Sequence, residues 1–240
     1  MRYFSFFIFS ISMITVSAQS NLLKEVTEKA NTLISSNQKI TIKEAHEGLV
    51  EALIQGARES VKVASEKGGF NKNYLIRIPF PEDARRMKET LLKIGLSKQV
   101  KQFETSINNA AETASREAFS IFLSVIQSMT IKDVFEVLQG GDDAATNYLE
   151  SQTSLELHNK FKPIIKSAIQ KVEVTKYWNL LISRYNSLPL TRPVNADLEE
   201  YITVKTIDGL FVLIALEEKN IRTNPKAQTS ELLKRVFNQK

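Results

Sequence analysis

Past residue 20 the apolar positions recur at spacings of three and four, the period of helices buried along one side. Ile42, Ala45, Leu49, Leu53, Ala57, Val61 and Ala64 form one such stripe. Thr41-Ile42-Lys43-Glu44 at its head has the pattern of a capping box, and Gly68-Gly69 ends it. Val100, Phe103, Ile107, Ala111, Ala114, Ala118, Phe122 and Val125 mark the buried face of a helix begun by Ser97. Unbroken, that helix spans about 45 Å at roughly 1.5 Å per residue, and its alanines admit a closely packed neighbour. A weaker amphipathic segment at 21–36 carries Leu22, Leu23, Val26, Ala30, Leu33 and Ile34.

Punctuation divides the rest. Leu75-Ile76-Arg77-Ile78-Pro79-Phe80-Pro81 is extended, because each proline pushes its predecessor out of helical space. A second helix runs from about Glu82 to Gly95. Thr130-Ile131-Lys132-Asp133 is a further capping-box pattern whose helix stops at Gly140-Gly141, after which Asp142 caps a helix over 143–151. Ser154 opens another stretch, which Pro163 must kink or divide. Thr175 caps the piece carrying Tyr177, Trp178, Leu181 and Ile182, and a loop with Pro189 and Pro193 fills 187–196. Asp197 caps a long helix reaching Thr223. Its middle, Gly209-Leu210-Phe211-Val212-Leu213-Ile214-Ala215-Leu216, is apolar on every side, which predicts burial on every side. Asn224-Pro225 closes it, and Thr229 or Ser230 caps a final helix. The predicted fold is all-α: a single-domain bundle of about eight or nine helices around a buried central helix near Gly209 and Leu216.

The first 18 residues break the pattern. Arg2, then an apolar run from Tyr3 to Val16, then Val16-Ser17-Ala18 before Gln19, read as a cleavable secretory leader. The run is shorter than the roughly 20 residues a membrane span needs. The organisation predicted is a leader at 1–18, a helical and linker segment at 19–40, and an all-α domain at 41–240. Localisation follows: export, cleavage near Ala18-Gln19, and a periplasmic or secreted mature chain with no further membrane span. The chain has no cysteine, which removes disulfides, thiolate metal sites and a lipid-bearing cysteine. The net charge of +5 calls for no special partner. Nucleic acid would require a basic stripe with stacking aromatics, and none is present.

Recognisable catalytic chemistry is missing. His46 and His158 lie on different helices, outside any H-E-x-x-H pattern, so no metal or cofactor is predicted. There is no G-x-S-x-G elbow. Glu199-Glu200 and Glu217-Glu218 are adjacent pairs and point about 100° apart on a helix, unlike the opposed carboxyls of a glycosidase. Glu218 stands four residues before Arg222, in the favourable orientation for a helical ion pair. The turn Gly140-Gly141-Asp142-Asp143 precedes a helix, where phosphate can bind, but its aspartates repel an anion and better suit a cap or a cation. Lys205 and Asp208 flank the apolar run, either as an i,i+3 pair or as a polar centre within a pocket.

Taken together and in order, several segments carry a resemblance. They are Ile78-Pro79-Phe80-Pro81, Met129-Thr130-Ile131-Lys132-Asp133, Gly140 to Tyr148, Lys205 to Phe211, Glu217-Glu218-Lys219-Asn220-Ile221-Arg222-Thr223-Asn224-Pro225, and Leu232-Leu233-Lys234-Arg235-Val236-Phe237. From about Ile42 to Phe237 the chain resembles a bacterial family of exported proteins catalogued as domain of unknown function 4197. The resemblance implies an exported helical protein and brings no activity or catalytic residues. Its recurring polar positions, Asp142, Thr146, Lys205, Asp208 and Arg222, together with Glu218, are the candidate ligand or support residues. Glu173 departs from the family pattern, where a glycine-type break is expected. Three readings remain: a non-enzymatic envelope protein binding a protein partner, or an apolar ligand between helices; a hydrolase in which Asp142, Asp208 and Glu217 or Glu218 converge; and a structural protein self-associating through the alanine-rich helix.

Overall fold

The computed structural model describes residues 41–171, 173–189, 191, 194 and 196–237. The leader and the segment at 21–36 lie outside the described residues.

Nine α-helices account for most of the described chain: α1 (Ile42–Ser65), α2 (Arg85–Lys93), α3 (Ser97–Ser115), α4 (Ala118–Gln127), α5 (Ile131–Gln139), α6 (Ala144–Lys171), α7 (Val174–Asn186), α8 (Leu198–Thr223) and α9 (Glu231–Phe237). They form one all-α domain, with no strand among the described residues. Both predicted capping boxes close. Thr41 accepts from the Glu44 N–H while the Glu44 carboxylate accepts from the Thr41 N–H, and Thr130 and Asp133 do the same for α5. Asp197 caps α8 by accepting from the Glu200 N–H at 3.0 Å. Ser230 caps α9 by accepting from the Leu233 N–H at 3.2 Å. Ser97 and Thr175 lie inside their helices instead of capping them, since α3 follows Leu96 and α7 follows Glu173.

α8 is the axis of the bundle and packs against α6, α1 and α3. Ile202, Leu210 and Ile214 are buried in these contacts, and Phe211 meets Phe122 of α4 edge-on at 5.9 Å. Gly209 admits the loop after α1, because a Cβ there would come within 2.8 Å of the Phe70 ring and 3.2 Å of Ile76. The expectation of burial on every side fails along one flank. Val212 and Leu216 are 41% and 44% exposed. Residues four apart share a side of a helix, and this is the side that α1, α3 and α6 leave uncovered.

Two predicted boundaries are also corrected. The alanine-rich helix is two helices, α3 and α4, separated at Arg116 and Glu117. At the end of α3 the Ser115 hydroxyl donates back to the Ala111 carbonyl at 2.8 Å, and the Glu117 N–H tightens onto the Ala114 carbonyl in a three-residue turn. Ala110, Ala111 and Ala114 are fully buried within the chain, so this face is spent on intramolecular packing and is not free for self-association. Conversely, α6 runs unbroken through Pro163. Phe161 and Ile165 on either side are fully buried, and their packing holds the helix across the missing N–H.

The segment between α1 and α2 crosses α3 as a strap, turning over residues 74–76 and without regular structure from Arg77 to Pro79. Phe80 at its end joins Phe103 and Trp178, with ring centroids 5.0–5.7 Å apart. No helix among the described residues is long and apolar enough to cross a membrane.

Candidate functional site

α6 begins at Ala144, and the first N–H groups of any helix lack partners inside it. Asp142 was expected to supply one. Its side chain is instead exposed at the turn, with no hydrogen bond or ion pair among the described residues. The helix start is completed from across the bundle. Glu218, one turn before the end of α8, accepts from the Ala145 N–H at 2.9 Å, the Thr146 N–H at 2.8 Å and the Thr146 hydroxyl at 2.8 Å. Arg222, one turn further on, donates Nε and Nη2 to the same carboxylate at 2.9 and 2.8 Å. Its Nη2 also reaches the Val137 carbonyl at 3.0 Å, in the last turn of α5. A negative charge thus sits at the positive end of α6, and a positive one at the negative end of α5. Both side chains are withdrawn from water, at 5% and 13% exposure.

The knot accounts for the turn before it. Gly140 is extended, and a Cβ there would fall 2.4 Å from that of Ala144, so only glycine lets α5 pass so closely into α6. The helix N-terminus that could have bound phosphate already holds an internal anion. With five hydrogen bonds accepted, the Glu218 carboxylate is saturated and poorly placed to act as a general base.

Beside this pair lies a small, mostly apolar void of about 20 Å³, lined by Leu53, Gly56, Ala57, Ala145, Ile221 and Phe237 of α9. It can hold about one water molecule. Shallower relief lies on the surface, including a groove of about 740 Å³ over Val50 and Ile54 of α1 with Glu47, Glu51 and Arg58 along its rims.

The six candidate residues therefore separate. Thr146, Glu218 and Arg222 meet at one buried site. Lys205 and Asp208 pair with each other at 2.8 Å on the surface, 43% and 52% exposed, not as a polar centre in a pocket. Asp208 precedes Glu218 by ten residues, about 15 Å along the helix. The carboxyl convergence that a hydrolase requires is absent, since Asp208 is tied to Lys205 and Glu218 to Arg222. His46 Nε2 donates to the Met129 carbonyl at 3.1 Å, whereas His158 Nε2 meets Glu200 at 2.8 Å, so the histidines share no site. Among the described residues no cluster of three or more His, Asp or Glu could hold a metal ion.

A second polar structure went unread in the sequence. Glu104, Asn108 and Glu112 follow one another at four-residue intervals on α3 and are all buried. Glu112 accepts from the Phe70 and Asn71 N–H groups at 3.2 and 3.3 Å. Asn108 accepts from the Ile78 N–H and donates to the Ile78 carbonyl, at 2.8 and 2.9 Å. Glu104 pairs with Arg77 and Lys88. Their signal was the spacing itself: polar residues every fourth position beside an apolar stripe.

No curated protein and no solved structure matches the chain. A family model does, over residues 39–238, under the description protein of unknown function (DUF4197).

Proposed function

Since the chain belongs to the DUF4197 family, whose description assigns no activity, we propose from its geometry that it is a non-enzymatic binding protein of the bacterial envelope, holding an apolar ligand between helices. The leader at 1–18 exports it, and the domain that begins near Thr41 does the binding. The observation that carries this reading is the small space between α1 and α8, which admits about one water as it stands and must widen to take a ligand. It is mostly apolar and bordered by small residues, and it ends at the only strongly buried Glu–Arg pair among the described ion pairs. Helical bundles house their ligands in such interhelical spaces, with a few polar groups to fix orientation. Thr146, Glu218 and Arg222 are its supports, while Asp142, Lys205 and Asp208 serve the surface.

Native mass spectrometry of the mature protein, purified from its own envelope without detergent, tests this reading. A reproducible added mass of a few hundred daltons, released by organic solvent, is the expected result. A bare mass in every preparation would count against a resident ligand.

A further inference from the structure

α9 is joined to the molecule differently from the other helices. Its one fully buried residue, Leu233, packs with Ala52 and Ile221 in a small cluster set apart from the main core, with Ala227 and Phe237 at its edge. The helix has seven residues and follows the turn at 224–230. A polar tie to α1 is the Arg235–Glu44 pair at 2.8 Å. Leu232 and Val236 lie against Gly48 of α1, and Phe237 also touches the main core, but a helix of seven residues with one buried side chain is the kind that opens without unfolding the rest. Phe237 does two things in the closed state. It lines the void beside Glu218, and its ring centroid lies 5.8 Å from the Arg222 guanidinium carbon, a cation–π contact.

We infer that α9 is a lid, and that the site beneath it takes an aliphatic chain with an anionic head, such as a long-chain carboxylate. This rests on the binding reading above. Outward movement of α9 withdraws Phe237 and Leu233 from α1 and α8 and leaves an apolar cleft whose floor is Ala52, Gly56 and Ala57. The same movement takes from Arg222 its aromatic partner. Nη1 of Arg222 makes no hydrogen bond among the described residues, so the guanidinium has donors to offer a head group without releasing Glu218. The Glu218 charge is shared with the α6 N-terminus through the Ala145 and Thr146 N–H groups, which leaves part of the Arg222 charge to the head group. Small residues along the floor leave room for the width of a polymethylene chain.

The chain has no cysteine, so a lid-locking disulfide can be installed cleanly. A Cβ at Gly48 lies 3.6 Å from the Val236 Cβ, within the spacing a disulfide requires, and 3.2 Å from Leu232 Cγ, which must give by a few tenths of an ångström. The experiment is titration of the Gly48→Cys/Val236→Cys protein with cis-parinaric acid, oxidised and reduced, beside the parent. The parent and the reduced variant are expected to bind alike, and oxidation to weaken binding at least tenfold, reversibly with dithiothreitol. The alcohol of the same chain length should bind the parent more weakly than the acid. Equal binding by oxidised and reduced protein would overturn the lid while leaving the ligand reading standing. No binding by the parent would overturn both. Hydrogen exchange on the parent gives an independent check: α9 amides should exchange much faster than those of α8, and equal protection would sink the lid.

Discussion

At the scale of the residue, identical charges do different work according to burial. Glu218 and Asp208 are both acidic residues of α8 paired along the helix, yet only Glu218 is out of water. Glu218→Ala leaves Arg222 and two helix N–H groups buried without their acceptor, and is expected to cost about 3–5 kcal/mol in urea unfolding. Asp208→Ala should change stability by no more than about 0.5 kcal/mol in the same assay. The i,i+4 spacing of Glu218 and Arg222 was legible in the sequence, and the pairing of Lys205 with Asp208 was one of two readings the sequence left open. What reached Glu218 from α6 was not, because backbone N–H groups carry no sequence label and Thr146 lies 72 residues away. The departure noted at Glu173 has a structural counterpart. It is the one non-glycine residue among those described with a positive φ, 59°, in the left-handed region. An L side chain there costs about 1 kcal/mol, so Glu173→Gly should raise the melting temperature by about 2–4 °C in calorimetry, despite loss of the exposed ion pair to Lys176.

Elements repeat one device. Each glycine pair of the chain, Gly68-Gly69 and Gly140-Gly141, is followed by two backbone N–H groups that receive a buried carboxylate from another helix. Glu112 of α3 serves the first and Glu218 of α8 the second. Both turns are thereby fixed to helices distant in sequence, which a loop's own residues could not achieve. The strap after the first turn depends further on Asn108, whose amide satisfies both backbone groups of Ile78. Asn108→Ala strands those groups and should cost about 2–3 kcal/mol, with faster exchange of the Ile78 amide by NMR as the local signature. Helix starts were legible where Thr41, Thr130 and Asp197 cap through their own side chains, and misread at Ser97, Asp142 and Thr175, where no such local cap forms. The continuity of α6 through Pro163 and the break at Arg116 were not legible. In the first, burial of Phe161 and Ile165 overrides the proline, and in the second the apolar period of the sequence runs on through the tight turn at Arg116 and Glu117 without faltering.

For the molecule as a whole, the charges that tie helix to helix set a window of pH. Three carboxyls lie below their ordinary values. Glu44 is held down by the Thr41 N–H and then by Arg235, Asp133 by the Thr130 hydroxyl and N–H, and Glu200 by bonds from Lys162 and His158. A group depressed on folding contributes stability that is complete above its unfolded value and is lost as pH falls through the folded one. These three therefore define an acid limb beginning near 4.5 and continuing below it. On the alkaline side, burial and then the charges of Glu82 and Glu104 push Tyr201 from 10 up to about 12, while its hydroxyl donates to the Pro79 carbonyl and so helps pin the strap to α8. Lys162 is raised in turn by its bond to Glu200. A group raised on folding contributes fully below its unfolded value and loses that contribution as pH rises through the folded one. Urea midpoints should then be flat between about pH 5 and 9, fall as acid is added below that range, and fall again from about 10 to 12. Tyr201→Phe separates the alkaline contributions. It should lower the plateau by about 1 kcal/mol, for the stranded Pro79 carbonyl, and flatten the descent above pH 10. A Tyr201→Phe protein whose alkaline limb matched the parent's would assign that limb to Tyr148, which burial and then Asp133 also raise, and to lysine pairs such as Lys162–Glu200.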